Sequence, residues 1–345
     1  MGARFATARV GKTRARERNC SVARTLGILS DPWAFLVIRE AFFRKRRFKD
    51  FQDTLGIPRG TLTDRLRRLT RDGIFTRLRY QRFPDRFEYR LTDKGLDLYP
   101  SFVALMKWGD RWLARGRPPL KLIHRGCGNP VEARTVCSEC GGEIRPYQVS
   151  YRDGPGAGSS IVSASGRIRR AAQAANFLRG RRCSVARTLR IIGDRWSFLV
   201  MREAFFGVRR YDEMHAKLNI ATNILADRLR RLVEEGIFAR TPYQDRPPRF
   251  EYRFTGEGRE LYDSMIAMMR WGDRWASPDG APLILTHRGC GADFHAVVAC
   301  NHCGGELAAR EMSYAGAAAV RNEAEVAKPR VRRSAKRVGR PARAL

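Results

Sequence analysis

Acidic side chains are scarce. In 345 residues, 35 Asp and Glu stand against 67 Lys and Arg, a formal net charge of +32. So unbalanced a chain implies a polyanionic partner, nucleic acid first and an anionic membrane surface a distant second. Long apolar runs are missing too. Nothing has the length of a transmembrane span, and the basic N-terminus has no secretory-type apolar stretch behind it. These absences predict a cytoplasmic protein that does not enter a membrane. There is no Walker loop and no dinucleotide-binding glycine pattern. A zinc deaminase would pair its Cys-x2-Cys with an upstream His-x-Glu. The chain offers His124-Arg125-Gly126 and His295-Ala296-Val297, neither with a glutamate. No catalytic constellation emerges, and no enzyme is expected.

What the chain does contain, it contains twice, at a constant offset of 163 residues. Cys20-Ser21-Val22-Ala23-Arg24-Thr25-Leu26 returns as Cys183 to Leu189, and Asp64 to Leu69 as Asp227 to Leu232. Trp108 and Trp112 return as Trp271 and Trp275. A repeat of this size is a whole domain. The division expected is a basic arm at 1–19, a helical domain at 20–115 with a small cysteine module at 116–151, a linker at 152–182, the second domain at 183–278 with its module at 279–314, and a disordered basic tail at 315–345. As a coil, the linker would span on the order of 30 Å and leave the meeting of the copies unrestrained.

Each copy reads helix, helix, helix, hairpin, helix. Trp33 to Phe43 is apolar enough for a buried helix, as is Trp196 to Phe206. Arg47 to Leu55 is short and amphipathic and stops at Gly56. The next helix carries Leu62, Leu66 and Leu69 at i, i+4, i+7 and ends at Asp72-Gly73. Two β-like runs follow, Ile74 to Tyr80 and Phe87 to Leu91. Thr92, and Thr255 in copy two, can cap the last helix. This is the plan of a winged helix-turn-helix: mainly α with small β, in two tandem domains. The leucines face the core, leaving Arg59, Thr61, Thr63 and Arg67 to enter a major groove. In copy two the corresponding face carries Thr222, Asn223 and Arg230. The hairpin tips, with Arg82 and Arg86 or Arg246 and Arg249, can reach phosphate or a neighbouring minor groove. The competing reading is that these arginines merely solvate exposed surfaces.

Several separate motifs in copy two fall in order: Gly-Asp-Arg-Trp-Ser-Phe-Leu-Val (193–200), Arg-Glu-Ala-Phe-Phe-Gly (202–207), Asp-Arg-Leu-Arg-Arg-Leu (227–232) and Pro-Pro-Arg-Phe-Glu-Tyr-Arg-Phe-Thr (247–255). Together they resemble the HxlR-type winged helix-turn-helix transcriptional regulators over about 95 residues per copy. Copy one departs at Asp31-Pro32 and at Arg44, where copy two has Asp194-Arg195 and Gly207. Such regulators are typically homodimers joined through their terminal helices. The resemblance therefore implies an intrachain pseudo-dimer, able to pair further into a four-domain homodimer, that binds double-stranded DNA, most simply as a repressor. Because the reading helices differ, the operator is expected to be asymmetric. Some family members sense oxidants or electrophiles with a cysteine at the position of Cys20 and Cys183; the resemblance carries that effector role to both. Arg24 and Arg187 are placed to lower the thiol pKa if the segment is helical. The alternative is a small residue packed at the dimer seam.

The remaining six cysteines form a sharper pattern. His124, Cys127, Cys137 and Cys140 return as His287, Cys290, Cys300 and Cys303. One imidazole and three thiolates per copy suit tetrahedral zinc in a zinc-ribbon-like module, and four protein ligands make such zinc structural. His295 and His302 occur only in copy two and are expected at the surface, as is His215. The Trp pairs are expected in core and seam, and a pocket between the copies could accept an apolar ligand. Lys336 to Arg343 contains Gly-Arg-Pro and resembles an AT-hook core, with generic phosphate attraction as the safer reading. Two functions remain: a sequence-specific regulator, or an architectural DNA-binding protein with little base preference. The ratio of specific to non-specific affinity separates them, at about 10³ or more against near unity.

Overall fold

The computed structural model describes residues 15–29, 32–114, 118–162 and 183–315. The first 14 residues, most of the expected linker, and the tail with its Gly-Arg-Pro run lie outside the described residues. Copy one opens with β1 (Ala15–Arg18), then α1 (Ser21–Leu29), α2 (Pro32–Phe42), α3 (Phe48–Leu55) and α4 (Arg59–Arg71). The hairpin β2 (Phe75–Gln81) and β3 (Arg86–Leu91) leads to a short α5 (Asp93–Leu96) and to α6 (Tyr99–Trp108), which runs on into a π-turn over Gly109–Leu113. Then come β4 (Lys121–His124), β5 (Ala133–Cys137), β6 (Val149–Asp153) and β7 (Ser159–Val162). Copy two repeats the order with α7 (Ser184–Ile192), α8 (Arg195–Phe205), α9 (Tyr211–Leu218), α10 (Thr222–Glu234), β8 (Phe238–Gln244), β9 (Arg249–Phe254), α11 (Gly256–Glu260) and α12 (Tyr262–Trp275). It closes with β10 (Leu283–His287), β11 (Asp293–Phe294), β12 (Ala296–Cys300) and β13 (Met312–Ala315).

Local chemistry sets these boundaries. The Asp194 carboxylate caps α8 by accepting from the Trp196 and Ser197 amides, both at 3.1 Å. Thr92 caps α5 by accepting from the Gly95 amide at 3.1 Å, and Thr255 does the same for Gly258. Gly56 ends α3 in the left-handed region, at φ 61°, and Asn219 does the same for α9 at φ 46°. Leu62, Leu66 and Leu69 of α4, and Leu225, Leu229 and Leu232 of α10, are almost completely buried. The apolar stripe read from the sequence is therefore the face that seats each second helix on its domain.

The two copies share one core. Residues from both enter a single hydrophobic cluster, in which α1 packs on α12 and α6 on α7. The contacts come in reciprocal pairs, as at an isologous interface. Thr25 donates to the Met268 carbonyl at 3.0 Å and Thr188 to Leu105 at 3.0 Å. The buried Trp108 indole donates to the Glu257 carbonyl at 2.8 Å, and Trp271 to Lys94 at 2.9 Å. Trp112 donates to Glu260 at 3.0 Å and Trp275 to Asp97 at 2.6 Å. The Trp pairs thus do serve core and seam. Gly109 and Gly272 allow the helices to approach: a Cβ on Gly272 would lie 2.4 Å from the Ser21 carbonyl, and one on Gly109 2.6 Å from that of Ser184.

Beyond the helices the copies are interlaced. β6 pairs with β10, β5 with β12 and β4 with β13, all antiparallel, so each of these three ladders joins copy one to copy two. The segment after 152, expected to be flexible, also differs in its described part. β7 pairs with β1 from Ala15↔Val162 to Arg18↔Ser159, giving the end of the N-terminal arm a partner. Gly154 donates to the Pro282 carbonyl at 3.0 Å and Gly156 to Ala281 at 3.2 Å. A Cβ on Gly156 would stand 2.1 Å from the Gly280 carbonyl. Glycines that suggested looseness instead permit close backbone packing.

Two carboxylates lie in the helical seam. Ser21 donates to Asp273 and Ser184 to Asp110. Burial raises each carboxyl from 3.8 to about 6, despite the serines and the nearby Arg24 and Arg187. The folded chain therefore keeps protons that the unfolded chain has shed, so this contribution to stability falls as pH rises through 6. Between pH 7 and pH 5 the wild type should gain about 1 kcal/mol per carboxylate over an Asp110→Asn, Asp273→Asn variant. Paired urea melts at the two pH values measure this; parallel pH profiles would contradict it.

Candidate nucleic-acid interface and metal clusters

The two helix-turn-helix units, α3–α4 and α9–α10, keep their leucines inward and their polar residues outward. Arg59 and Arg67 are exposed on α4, with Thr61 and Thr63 half-buried. Arg59 lies over the Phe48 ring at 5.6 Å, Thr63 donates back to the Arg59 carbonyl at 2.9 Å, and Arg67 pairs with Asp64 at 3.3 Å. On α10, Thr222 and Asn223 are exposed at the first turn. Arg230 is exposed but held by Asp227 at 2.6 Å and Glu234 at 2.9 Å, which raise its pKa. Arg82 and Arg86, and Arg246 and Arg249, are exposed at the hairpin tips.

The two helix-turn-helix faces differ in charge. Helix α4 carries Arg59, Arg65, Arg67, Arg68 and Arg71 against Asp64, a net of +4; α10 carries Arg228, Arg230 and Arg231 against Asp227 and Glu234, a net of +1. The tips differ as well, with Phe83, 90% exposed, where copy two places Arg246.

Sequence reasoning missed a layer of stacked arginines on the same surfaces. Arg47 lies over Tyr80 at 4.6 Å and Arg210 over Tyr243 at 4.5 Å. Arg77 covers Phe87 at 3.5 Å and Arg240 covers Phe250 at 3.4 Å. Each contact pre-orients a guanidinium on a ring face at the root or side of a wing. The signal was present in the alternation of arginine and aromatic residues across β2 and β3.

The structure regroups the metal-type ligands. They do not gather copy by copy. One cluster takes His124 and Cys127 from copy one with Cys300 and Cys303 from copy two; the other takes Cys137 and Cys140 with His287 and Cys290. The interlaced strands dictate this, because β5 pairs with β12 and carries each Cys-x2-Cys knuckle to the other copy's His-x2-Cys. In the first cluster, Cys127 Sγ lies 3.8 Å from Cys300 Sγ and 3.6 Å from His124 Nδ1, and Cys303 Sγ lies 3.2 Å from His124 Nδ1. In the second, Cys137 and Cys290 sulfurs are 4.0 Å apart, and His287 Nδ1 lies 3.3 Å from Cys140 and 3.5 Å from Cys290. A tetrahedral ion with Zn–S of about 2.3 Å and Zn–N of about 2.0 Å requires edges of roughly 3.5–3.8 Å. The donor sets fit. The backbone supports thiolates as well: the Asn129 amide lowers the Cys127 thiol to about 6, and the Gly142 amide, 3.4 Å from the sulfur, lowers Cys140.

Cys20 and Cys183 precede α1 and α7, with sulfurs accepting from the Ala23 and Ala186 amides at 3.5 Å. Arg24 and Arg187 have carboxylates as charged neighbours. They face Asp273 and Asp110, with Arg187 donating to the Leu113 carbonyl at 3.4 Å. The cation beside Cys20 is the buried Arg202 of the other copy, which bonds both this sulfur and Glu203. Of the copy-two histidines, His302 and His295 are both exposed, as expected, and the His295 amide donates to the Ser138 hydroxyl at 3.1 Å. Among the described residues no single helix is long and apolar enough to cross a membrane.

Comparison with known proteins places this geometry. A family model described as HxlR-like helix-turn-helix matches residues 28–117 and again 191–280. An uncharacterized HTH-type transcriptional regulator of Mycobacterium tuberculosis is 45% identical over 144 residues, which are 41% of this chain and 91% of that protein. Its whole length is thus about one copy of the repeat, and its likeness runs well past one 90-residue family match. An uncharacterized HTH-type transcriptional regulator of Synechocystis is 36% identical over 110 residues, 32% of this chain and 82% of its own. The crystal structure of PA1607 aligns at 40% identity over 37% of this chain and 91% of its own, with a TM-score of 0.34.

Paired substitutions test the regrouping of the clusters. Cys127→Ser with Cys303→Ser falls within one exchanged cluster and should leave about one bound ion per chain on zinc(II) loading. Cys127→Ser with Cys140→Ser breaks both clusters and should leave none. Ligands closing within each copy would give the opposite pattern, and metal content per chain, read by atomic emission, distinguishes the two.

Proposed function

The chain belongs to the HxlR-like helix-turn-helix family, and from that premise we propose a sequence-specific, double-stranded DNA-binding repressor whose two copies read one asymmetric operator as an intrachain pseudo-dimer. The observation that carries this reading is a shared core that fixes two unlike reading helices on one body. A C2 homodimer presents identical helices and reads a palindrome. Here Arg59, a natural partner of guanine O6 and N7, stands where copy two has Thr222, and Asn223, a natural partner of adenine, stands where copy one has Gly60.

The charge difference between α4 and α10 divides the labour. Copy one supplies more of the phosphate attraction and copy two more of the hydrogen-bond readout. A body seated across a promoter competes with polymerase for the same DNA, which supports repression. Zinc(II) at the two exchanged clusters would be structural, because four protein donors leave no position for substrate. It would lock the copies together rather than act on a ligand. Cys20, beside Arg202, gives the seam a thiol with a cationic neighbour, which supports an oxidant-sensitive response. Unlike exposed side chains at the two first turns favour this reading over an architectural protein.

Binding-site selection from random duplexes tests the proposal. The expected product is two unequal half-sites about one helical turn apart, or a multiple of that. Arg59→Ala should relax only the copy-one half-site, and Asn223→Ala only the other, each at about 1–3 kcal/mol. A perfect palindrome, or recovery of no consensus, would overturn it.

A further inference from the structure

Between the helical body and the interlaced strands lies a cavity of about 320 Å³. This is the size of a small-molecule site, for which about 300–1,000 Å³ is usual. Its walls come from three parts of the molecule: α2 and α6 of copy one, the start of α7 from copy two, and the strand pair β4–β13. Phe42, Phe102, Met106 and Tyr314 make it apolar. Arg39, Arg44 and Arg125 also line it, and no acidic side chain does. Two guanidinium groups, Arg44 and Arg125, at an apolar hollow form a site for an organic anion, whose body fills the hollow and whose head meets these arginines.

Arg44 marks the site as built. It sits in the left-handed region at φ 64°, where copy two places Gly207 at φ 86°. Glycine takes this conformation freely, whereas arginine does not. A strained arginine retained at the mouth of a cavity, at the position where the other copy has the relaxed residue, points to a use for its cation. Among the described residues Arg44 and Arg125 form no ion pair, so both are available to a ligand. Arg39 pairs with Glu40 in the wall, so its charge is already met there.

We propose that this cavity is the effector site of the regulator and that it takes an aromatic carboxylate. The flat walls of Phe42, Phe102 and Tyr314 suit a ring, and a planar carboxylate suits guanidinium. The effector role rests on the DNA-binding reading above; the binding site does not. A bound ligand would touch both the helical domain of copy one and the interlaced strands. Arg44 lies just before α3, which opens the helix-turn-helix of copy one, and Arg125 directly follows the metal-type ligand His124 and donates its amide to the Glu311 carbonyl at 2.8 Å. Filling the cavity would therefore act on the segment that leads into copy one's helix-turn-helix and on the strand module at once.

Calorimetry of the full metal-loaded chain with 2-naphthoate, 2-naphthalenemethanol and 2-naphthyl phosphate tests the site without DNA. The carboxylate should bind at one site per chain, and the alcohol at least tenfold more weakly. The phosphate, larger at its head, should also bind more weakly; tighter binding would overturn the carboxylate assignment. Arg44→Gly relieves backbone strain, so it should fold at least as stably while weakening 2-naphthoate by tenfold or more. Met106→Trp, which fills the cavity, should abolish binding. Equal affinity for the alcohol, or unchanged binding in both variants, would overturn the site. Operator affinity is then measured with and without 2-naphthoate. A shift in wild type that is absent in Arg44→Gly supports the effector role, and no shift overturns it. Failure to bind any operator would instead sink the DNA-binding reading while leaving the calorimetric result standing.

Discussion

Neither copy of the repeat can complete a metal-type cluster by itself. Each knuckle bearing Cys-x2-Cys is delivered by the β5–β12 ladder to the His-x2-Cys of the other copy. That crossing is the constraint from which the rest of the arrangement follows. It commits β4, β6, β10 and β13 to partners across the molecule, and it holds the ends of α6 and α12 near one another. An ion bound in either cluster would then count as a cross-link between the copies, and its binding free energy would contribute to their association.

The helical seam works in the same direction by different means. Indole and threonine groups bond carbonyls of the opposite copy in matched pairs, so the seam is specified by geometry as well as by apolar area. Each such bond contributes about 1 kcal/mol net, whereas leaving one buried partner unsatisfied costs about 1–3 kcal/mol. Such a seam tolerates little sliding. The consequence for function is that α4 and α10 are held at one separation, with their differences in sequence presented as differences between two fixed positions. Fusion into one chain frees the copies to diverge, and they differ, among other places, where DNA and ligand would touch: the first turns of the reading helices, the wing tips and Arg44.

Much of this was legible in the residues. The leucine spacing gave the buried face of each reading helix, the Thr92 and Thr255 caps gave the start of the last helical segment, and the repeated histidine and cysteines gave all eight members of the clusters. Their grouping was not legible. When two copies carry identical ligand spacing, closing within a copy and exchanging between copies produce the same pattern, and only strand pairing decides. The cation beside Cys20 was not legible for a related reason. A helical turn brings Arg24 near in sequence, but the fold turns it to Asp273 and brings Arg202 from 182 residues away. The glycine-rich stretch after 152 reads as a flexible coil because composition registers missing side chains and not the backbone that packs into the space they leave. The cavity, too, is assembled from distant segments of both copies; a pocket between the copies was expected, but its lining was not legible.

The central claim is that one chain constitutes the complete DNA-reading pair. Native mass spectrometry of the purified, metal-loaded protein with its selected operator duplex tests this most directly. The account predicts one chain per duplex, with both half-sites occupied in a footprint of the same complex. Two chains on each operator, with one half-site protected by each, would contradict it.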